Sequence, residues 1–257
     1  MRTIRHLAAL TVTTCLVGLL TAAGCKVSAP PPEQTPPPPD MTAVYAPKGV
    51  NVDGVLDDEV WRLAPAFPLA LSKDRQVKNS LQEAGEVRLA WDENNLYMAV
   101  RFQDSDLVAE GEEDQLHHYQ MGDLAELFLK PENETWYWEL YVTPAGRKTS
   151  FWFPGRGRLG VPSCFKYECG LRVAAKCDGT LNHWQDRDNA WTAEMAMPIK
   201  DITARGETFG PGSEWRVFVG RYNYSRYLSR QELSMAPTLP WTDYHLQEHY
   251  AVLRFVK

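Results

Sequence analysis

The sequence predicts an all-β fold, an antiparallel β-sandwich of two sheets that follows an N-terminal signal and a proline-rich stalk. Two observations predict the sandwich. Apolar and polar residues alternate with a period of two through most of the chain after residue 40, and helical periodicity is almost absent. A third observation, the unusual composition of the first forty residues, separates that part of the chain from the fold.

The N-terminus has the three-part organisation of a secretory signal. Arg2 and Arg5 supply a positive start, residues 7–20 form an uncharged and mostly apolar run, and small residues then lead to Cys25. The apolar run is too short for a comfortable membrane span of about 20 residues. The segment that ends at Cys25 is similar to a bacterial lipobox, although Ala22 stands where a larger aliphatic residue is usual. We therefore expect lipidation at Cys25 and export to the bacterial cell envelope, on the outer membrane or the cell surface.

Proline dominates the segment after Cys25, including Pro36 to Pro39. A segment of this kind stays extended and buries little surface, as expected of a stalk. No second low-complexity segment interrupts the rest of the chain. We therefore predict a lipoprotein signal peptide over 1–24, a linker over 25–40 and one β domain over 41–257.

The charge of the chain excludes one class of partner. The net charge is −6 at pH 7, and removal of Arg2 and Arg5 with the signal makes the remaining chain more acidic. Because no basic patch stands out, we expect no nucleic-acid partner. No later segment is apolar enough to cross a bilayer, so we expect membrane contact through the lipid anchor.

Strands and turns can be placed along the domain from the alternation. Residues 86–91 and 96–103 alternate on either side of a turn at 92–95, which predicts a hairpin. Further strands are predicted over 124–129, 136–142, 171–177, 191–197, 215–221 and 250–256. Residues 57–64 are predicted to form a short helical turn with Trp61 packed inward.

Three cysteines remain in the domain once Cys15 is removed with the signal and Cys25 is assigned to the anchor. An odd number in an oxidising compartment predicts one disulfide and one spare thiol. We prefer a pair between Cys164 and Cys169, because both fall in an irregular stretch whereas Cys177 lies in an alternating run. Their spacing is not typical of a zinc site, and we predict no catalytic metal.

A series of short motifs resembles carbohydrate-binding module family 9. The opening D-G-V-L-D-D-E-V-W at 53–61 is similar to the start of that family, and G-D-L-A-E-L-F-L at 122–129 is similar to one of its strands. The other matching segments are 87–101, 142–146, 178–182, 191–198, 211–216 and 234–238. The motifs occur in order along nearly the whole domain. The resemblance implies a sandwich of two antiparallel sheets, in agreement with the alternation, and it implies sugar binding.

The resemblance also implies particular site residues. Sugar-binding members of that family use a glutamate that matches Glu126, and two tryptophans, for which the nearest aromatic residues here are Tyr119 and Tyr244. An arginine on the following strand of the family is replaced by Tyr141. We expect a shallow site on the outer face of one sheet, where Glu126 accepts hydroxyl hydrogen bonds and the tyrosines stack on the sugar. Arg221 is a further polar candidate, and the alternative for Glu126 is a surface carboxylate paired to an arginine.

Other chemistries are less well supported. The sequence H-L-Q-E-H at 245–249 matches a metalloprotease motif that requires a helix, but we expect a loop with two solvated histidines. Glycoside hydrolysis needs two carboxylates facing each other across a cleft, and the sequence pairs no two acids in this way. Haem ligation by Met98 is disfavoured because Met98 alternates with core residues. The resemblance allows structural calcium in an acidic loop, without identifying its ligands.

We therefore predict non-catalytic carbohydrate binding by a membrane-tethered exported lipoprotein that serves polysaccharide capture or degradation. The expected partner is a poly- or oligosaccharide. The alternatives are an interaction or structural module of the envelope that lacks a sugar site, or an accessory hydrolase.

Overall fold

The computed structural model describes residues 39–157, 164, 167 and 169–257. The predicted signal, Cys25 and the predicted linker as far as Pro38 lie outside the described residues. No helix among the described residues is long and apolar enough to cross a membrane.

Strands make up most of the described chain. They are β1 (Asp40–Tyr45), β2 (Phe67–Pro68), β3 (Gly85–Trp91), β4 (Asn95–Gln103), β5 (Leu124–Pro131), β6 (Tyr137–Val142), β7 (Lys148–Phe153), β8 (Arg172–Asp178), β9 (Ala190–Pro198), β10 (Trp215–Asn223), β11 (Glu232–Ala236) and β12 (Ala251–Val256). The helices are α1 (Glu59–Leu63), α2 (Lys73–Gln76) and α3 (Ile199–Ile202), with 3₁₀ turns at His118–Gln120 and Gln247–His249. The all-β prediction is confirmed, and the predicted helical turn around Trp61 corresponds to α1.

The strands follow one hydrogen-bonded path in the order β7-β6-β5-β10-β12-β1-β3-β4-β9-β8, with β11 added to β10 and β2 added to β3. The path folds back on itself, so that β6 contacts β8 and β9 of the other half. The two halves form the layers of a sandwich, and β12 with β1 joins them at one side. Neighbouring strands are antiparallel except at β1, which is parallel to both β12 and β3.

The sequence patterns did not predict four of the strands. Strand β1 begins at Asp40, the last residue assigned to the stalk, and β2 contains a proline. Strands β7 and β11 lie in the segments 143–170 and 222–249, where turn residues obscure the alternation. Of these, β7 and β11 flank the outer surface on which the candidate site is found.

The main core lies between the two layers and is formed by the inner faces of the strands. Leu127 on β5 and Trp138 on β6 contribute from one layer, and Met98 on β4 and Trp191 on β9 contribute from the other. All four side chains are almost completely buried. This core uses one of every two residues in each strand, as the period of two predicts.

The segment that resembles the family opening is fixed to β9 by one buried carboxylate. Glu194 accepts a hydrogen bond from the Trp61 indole at 2.7 Å and from the backbone nitrogens of Asp53 and Gly54 at 2.9 Å each. Gly54 has a φ of +84°, and a Cβ there would lie 2.7 Å from the backbone of Ala175. The motif therefore has a structural role in which glycine is required.

The cysteine arrangement differs from the predicted disulfide. No disulfide joins Cys164 to Cys169. Cys164 packs in an aromatic cluster on the outer face of β5 and β6, whereas Cys169 packs against the core on their inner face. The sheet lies between the two thiols and separates them. Cys177 lies on β8 at an exposed position.

Candidate functional site

Alternation along β5 directs Glu126 away from the core. Its neighbours Ala125 and Leu127 belong to the inner core, whereas Leu124 and Phe128 belong to a second, mainly aromatic cluster on the outer face. Glu126 lies opposite Tyr141 on β6 and Gly220 on β10. The carboxyl is therefore at the centre of the outer face of this layer, and it is only 2% exposed.

The close packing of Tyr244 over β10 depends on Gly220. A Cβ at Gly220 would lie 2.4 Å from the Tyr244 ring, so only glycine allows the ring to lie directly on the strand. The Tyr244 hydroxyl donates to the backbone oxygens of Arg221 and Ser234, each at 2.9 Å. The loop after β11 is held against the sheet by these contacts, and its residues form one wall of a cavity.

The outer face of β5, β6 and β10 carries a cavity of about 360 Å³. Aromatic and carboxyl side chains dominate its lining. It is lined by His117, Tyr119, Glu126, Glu139, Tyr141, Phe151, Phe153, Tyr222, Leu233, Thr242, Asp243, Tyr244 and His245. Concave sites with aromatic walls and a few converging polar groups are typical of small-molecule binding.

Two buried carboxyls form the polar part of the cavity floor. Glu139 on β6 is 5% exposed and faces the same side as Glu126. Burial raises the pKa of Glu126 well above its ordinary value, and the neighbouring Glu139 carboxylate raises it further. Burial also raises the pKa of Glu139 to about 7. Two carboxyls so close in a poorly solvated place do not both ionise easily.

Tyr141 and His245 complete the polar network. The Tyr141 hydroxyl donates a hydrogen bond to Glu139, and the His245 Nε2 atom lies 3.9 Å from the second Glu139 oxygen. The His245 Nδ1 atom lies 3.0 Å from the Tyr137 hydroxyl. Burial lowers the pKa of His245, which favours the neutral ring. A neutral histidine can donate or accept a hydrogen bond at this site.

Aromatic rings form the walls above these groups. Tyr119 packs against Tyr222 with their ring centroids 6.2 Å apart and against His117 with their centroids 5.8 Å apart. Tyr222 in turn contacts the edge of the Tyr244 ring with their centroids 5.7 Å apart. Rings of this kind offer flat apolar surfaces for the apolar face of a sugar, while the carboxyls below can accept hydroxyl hydrogen bonds.

The structure brings together four of the five residues predicted for sugar binding. Glu126, Tyr119, Tyr141 and Tyr244 all line the cavity. Tyr244 contributes its ring alone, because its hydroxyl is already bonded to the strand backbone. Among the described residues no arginine pairs with Glu126, whose neighbouring carboxyl is that of Glu139.

Arg221 does not reach the cavity. It follows Gly220 on β10 and therefore points to the inner side, where its side chain is fully buried. Its guanidinium donates to the backbone oxygen of Gln103 at 2.6 Å and pairs with Asp104 at 3.2 Å. These contacts tie β10 to the end of β4. Arg221 has a structural role here, contrary to our expectation that it contributes to the site.

Sequence reasoning did not select Glu139, Tyr222 or His245 as site residues. The alternation of β6 already places Glu139 beside Tyr141, so the signal for Glu139 was present. His245 was expected to be solvated, but it packs against Phe128 and Phe153 with ring centroids 5.5 and 6.1 Å away. The segment 247–249 is a single 3₁₀ turn and not the helix that a metalloprotease motif requires.

Metal ligation has no visible basis in the described part of the chain. No group of three or more His, Cys, Asp or Glu side chains is arranged there to hold a metal ion. The buried acids near Arg221 instead accept hydrogen bonds from loop backbones. Asp123, for example, accepts from Val108 at 2.7 Å and from Tyr224 at 2.6 Å.

Comparisons with known proteins agree with this fold. A family model described as carbohydrate family 9 binding domain-like matches residues 52–210, and no curated protein matches the chain. A solved candidate carbohydrate-binding protein from Bacteroides uniformis is similar, with a TM-score of 0.62 and 12% identity over 86% of this chain and 100% of that one. A family 9 carbohydrate binding module from Caldicellulosiruptor kristjanssonii, solved with cellotriose and with glucose, has a TM-score of 0.56 and 12% identity over 84% of this chain in both complexes. The match covers 93% of the module's chain in the cellotriose complex and 95% in the glucose complex.

Proposed function

Because this chain belongs to the carbohydrate family 9 binding domain-like family, we propose that it binds carbohydrate, without catalysis, in the outer-face cavity. The single observation that carries the proposal is the place of Glu126. It stands on the floor of a cavity walled by Tyr119, Tyr222 and Tyr244, so that a hydrogen-bond acceptor and stacking surfaces converge on one ligand-sized space. Both kinds of group are needed to hold a sugar.

The arrangement of the two carboxyls supports binding over hydrolysis. Glycosidases place their two carboxyls on opposite sides of the scissile bond, about 5–9.5 Å apart. Glu126 and Glu139 lie on adjacent strands and form one floor, and no other buried carboxyl stands among the described residues that line the cavity. Asp243 in the loop above is exposed.

A binding experiment with matched variants tests the proposal. The full chain is titrated with a panel of oligosaccharides by calorimetry, and the titration is repeated with Glu126→Gln. We expect at least one ligand to bind, and we expect Glu126→Gln to weaken that binding about tenfold or more, because a carboxyl oxygen that accepts a hydroxyl hydrogen bond is replaced by an amide nitrogen that cannot accept one. Glu134→Gln, at an exposed position away from the cavity, serves as the charge-matched control.

The outcome separates two classes of function. A folded chain that binds no oligosaccharide in the panel contradicts the proposal and favours an envelope interaction module. That alternative has one supporting observation, which is the commitment of the Tyr244 hydroxyl to backbone hydrogen bonds. If the wild-type chain hydrolyses an oligosaccharide and the variants Glu126→Gln and Glu139→Gln do not, the chain is a catalyst and the proposal of binding without catalysis is wrong.

We further propose that the domain acts from the cell envelope, tethered through Cys25 and held away from the membrane by the proline-rich segment, and that it serves polysaccharide capture. The support is the sequence of the N-terminus, with its apolar run and the cysteine after small residues. Metabolic labelling with a fatty-acid analogue should mark the wild-type chain in bacterial membranes and leave Cys25→Ser unmarked. Equal labelling of both chains would contradict the tether.

A further inference from the structure

The charges that surround the outer-face cavity are unbalanced. Its lining contains three acids, Glu126, Glu139 and Asp243, and two histidines, but no lysine or arginine stands among these described residues. Arg156 lies outside this lining, where it pairs with Glu248 at 2.6 Å and donates to the backbone oxygen of His245 at 3.4 Å. Arg221 lies on the inner face of β10 and is bonded there. No permanent cation of the described lining therefore neutralises the two buried carboxyls.

One oxygen on the cavity floor has no hydrogen-bond partner. The Glu139 Oε2 atom is buried and accepts no hydrogen bond from any described residue. Its nearest basic group is the His245 Nε2 atom at 3.9 Å, which is beyond hydrogen-bond distance. The other Glu139 oxygen is occupied by the Tyr141 hydroxyl. A buried carboxylate oxygen without a donor is costly, and a ligand that supplies a donor would remove that cost.

We propose that the outer-face cavity selects a sugar that carries a primary ammonium group, a hexosamine unit, over the corresponding neutral or acidic sugar. This inference rests on the proposed function and names its ligand class. The ammonium donates to the open Glu139 oxygen and shares its charge with Glu126. The aromatic walls stack on the apolar face of the sugar ring, as they would for a neutral sugar.

Electrostatics favours this ligand over its relatives. A charge-assisted hydrogen bond between an ammonium and a carboxylate is roughly twice as strong as one between neutral groups. A hydroxyl at the same place donates one neutral hydrogen bond and brings no positive charge to the two carboxyls. A uronic acid adds a negative charge to a poorly solvated site that already holds two acidic groups and is disfavoured. Acetylation of the amine removes its charge and enlarges the group.

Three trisaccharides of the same β-1,4 backbone test the proposal. They are built from glucosamine, N-acetylglucosamine and glucose, so that they differ only at carbon 2. The full chain is titrated with each at about pH 7, near the pKa of Glu139. We expect the glucosamine trimer to bind about tenfold more tightly than the glucose trimer. A trimer of lysine, a cation without a sugar, should not bind.

The variants separate a specific contact from general attraction to an acidic protein. In Glu139→Gln the ratio of the glucosamine affinity to the glucose affinity should fall to about two or less, because the amide keeps the shape but not the charge. In Glu134→Gln, which removes the same charge from an exposed position, the ratio should be unchanged. Thermal melting of each variant checks that it is folded.

Proton uptake or release gives a second readout that does not depend on the variants. Below about pH 7 the free Glu139 carboxyl is mostly protonated, so binding an ammonium should release a proton and affinity should rise as the pH increases from about 5.5 to about 7. Calorimetry in buffers of different ionisation enthalpy measures that proton. Other titratable groups lie close to Glu139, and the glucose trimer controls for their contribution. They are Glu126, Tyr137, Tyr141, Tyr222, His245 and Tyr250.

Each outcome decides the proposal. Tighter binding of the glucosamine trimer that depends on Glu139 supports it. Tighter binding of the glucose or N-acetylglucosamine trimer, or of an acidic oligosaccharide, overturns it and leaves carbohydrate binding in place. A preference for glucosamine that persists in Glu139→Gln, or binding of the lysine trimer, also overturns it. If none of the oligosaccharides binds to the folded chain, both this proposal and the proposed function fail.

Discussion

The inner and outer faces of β5 and β6 are built from alternate residues of the same two strands, and they differ in almost every property. The inner face presents Leu127, Trp138 and Leu140 to a continuous apolar core. The outer face presents Glu126, Glu139 and Tyr141 to a cavity. All six side chains are almost completely buried. Burial therefore serves two purposes here, because buried carboxyls without a cation lower the stability that the inner face provides.

The largest expected effect is on the inner face. Trp138→Ala should lower the free energy of unfolding by about 3–5 kcal/mol, because a fully buried indole is replaced by a void that the sheet cannot close. Chemical denaturation measures the loss. A loss of about 1 kcal/mol or less would show that the inner face is not the main source of stability.

A smaller loss of stability is expected where the outer face of β10 meets the loop after β11. Gly220→Ala should cost about 1–3 kcal/mol, because the added Cβ would overlap the Tyr244 ring and force it off the strand. The same variant should abolish sugar binding, since Tyr244 forms one wall of the cavity. Gly155→Ala is the matched control, because a Cβ there meets atoms no closer than 3.8 Å. Equal stability and binding in the two variants would contradict the packing described for Tyr244.

The pH dependence of stability should reveal the buried carboxyl of the outer face. The pKa of Glu139 is raised to about 7, so between about pH 4.5 and pH 7 the folded chain keeps a proton that the unfolded chain has lost. The unfolded state then binds fewer protons, and the free energy of unfolding falls as the pH rises. Glu139→Gln should remove this fall. The difference in the free energy of unfolding between the variant and wild type should therefore shift in favour of the variant, by on the order of 1–3 kcal/mol, between about pH 5 and about pH 8.

Two buried histidines make the free energy of unfolding rise with pH, opposite to the effect of Glu139. The variant is therefore compared with wild type at each pH. The pKa values of His118 and His245 are lowered by burial, and their contribution to stability rises with pH up to about pH 6.5. Melting curves of both chains from about pH 5 to about pH 8 give the difference. A difference that does not change with pH would show that Glu139 titrates normally.

The smallest expected effect comes from a single hydroxyl on the outer face. Tyr141→Phe should lower the free energy of unfolding by about 1 kcal/mol, because Glu139 loses its hydrogen-bond donor. The same change should raise the pKa of Glu139, since the Tyr141 hydroxyl stabilises the carboxylate form. Carboxyl chemical shifts followed by NMR during a pH titration report that pKa. A fall in the pKa would contradict the assigned hydrogen bond.

The period of two predicted much of the fold and part of the site, because it depends only on which side of a strand a residue occupies. It placed Leu127 in the core and Glu126 and Tyr141 on the other face. The same rule places Arg221 on the inner side of β10, with Val217 and Val219. The resemblance to the family suggested Arg221 as a site residue without regard to the face of the strand on which it lies.

Other features depend on contacts between segments that are distant in sequence. His245 lies in an irregular loop, and its burial results from Phe128 and Phe153 on strands far from it in the chain. Strand β1 pairs in parallel with β12 at the opposite end of the domain. Cys164 and Cys169 are close in sequence, but they lie on opposite faces of a layer. No local pattern contains this information.

If sugar binds on the outer face of β5, β6 and β10, a ligand titration followed by NMR should locate it there. Ring and carboxyl resonances are recorded while an oligosaccharide that binds by calorimetry is added to the full chain. We predict that the largest shifts occur at Tyr222, Tyr244, Glu126 and Glu139, with little change at exposed Trp184 on another surface. Shifts centred on Trp184, with the cavity residues unchanged, would contradict the claim.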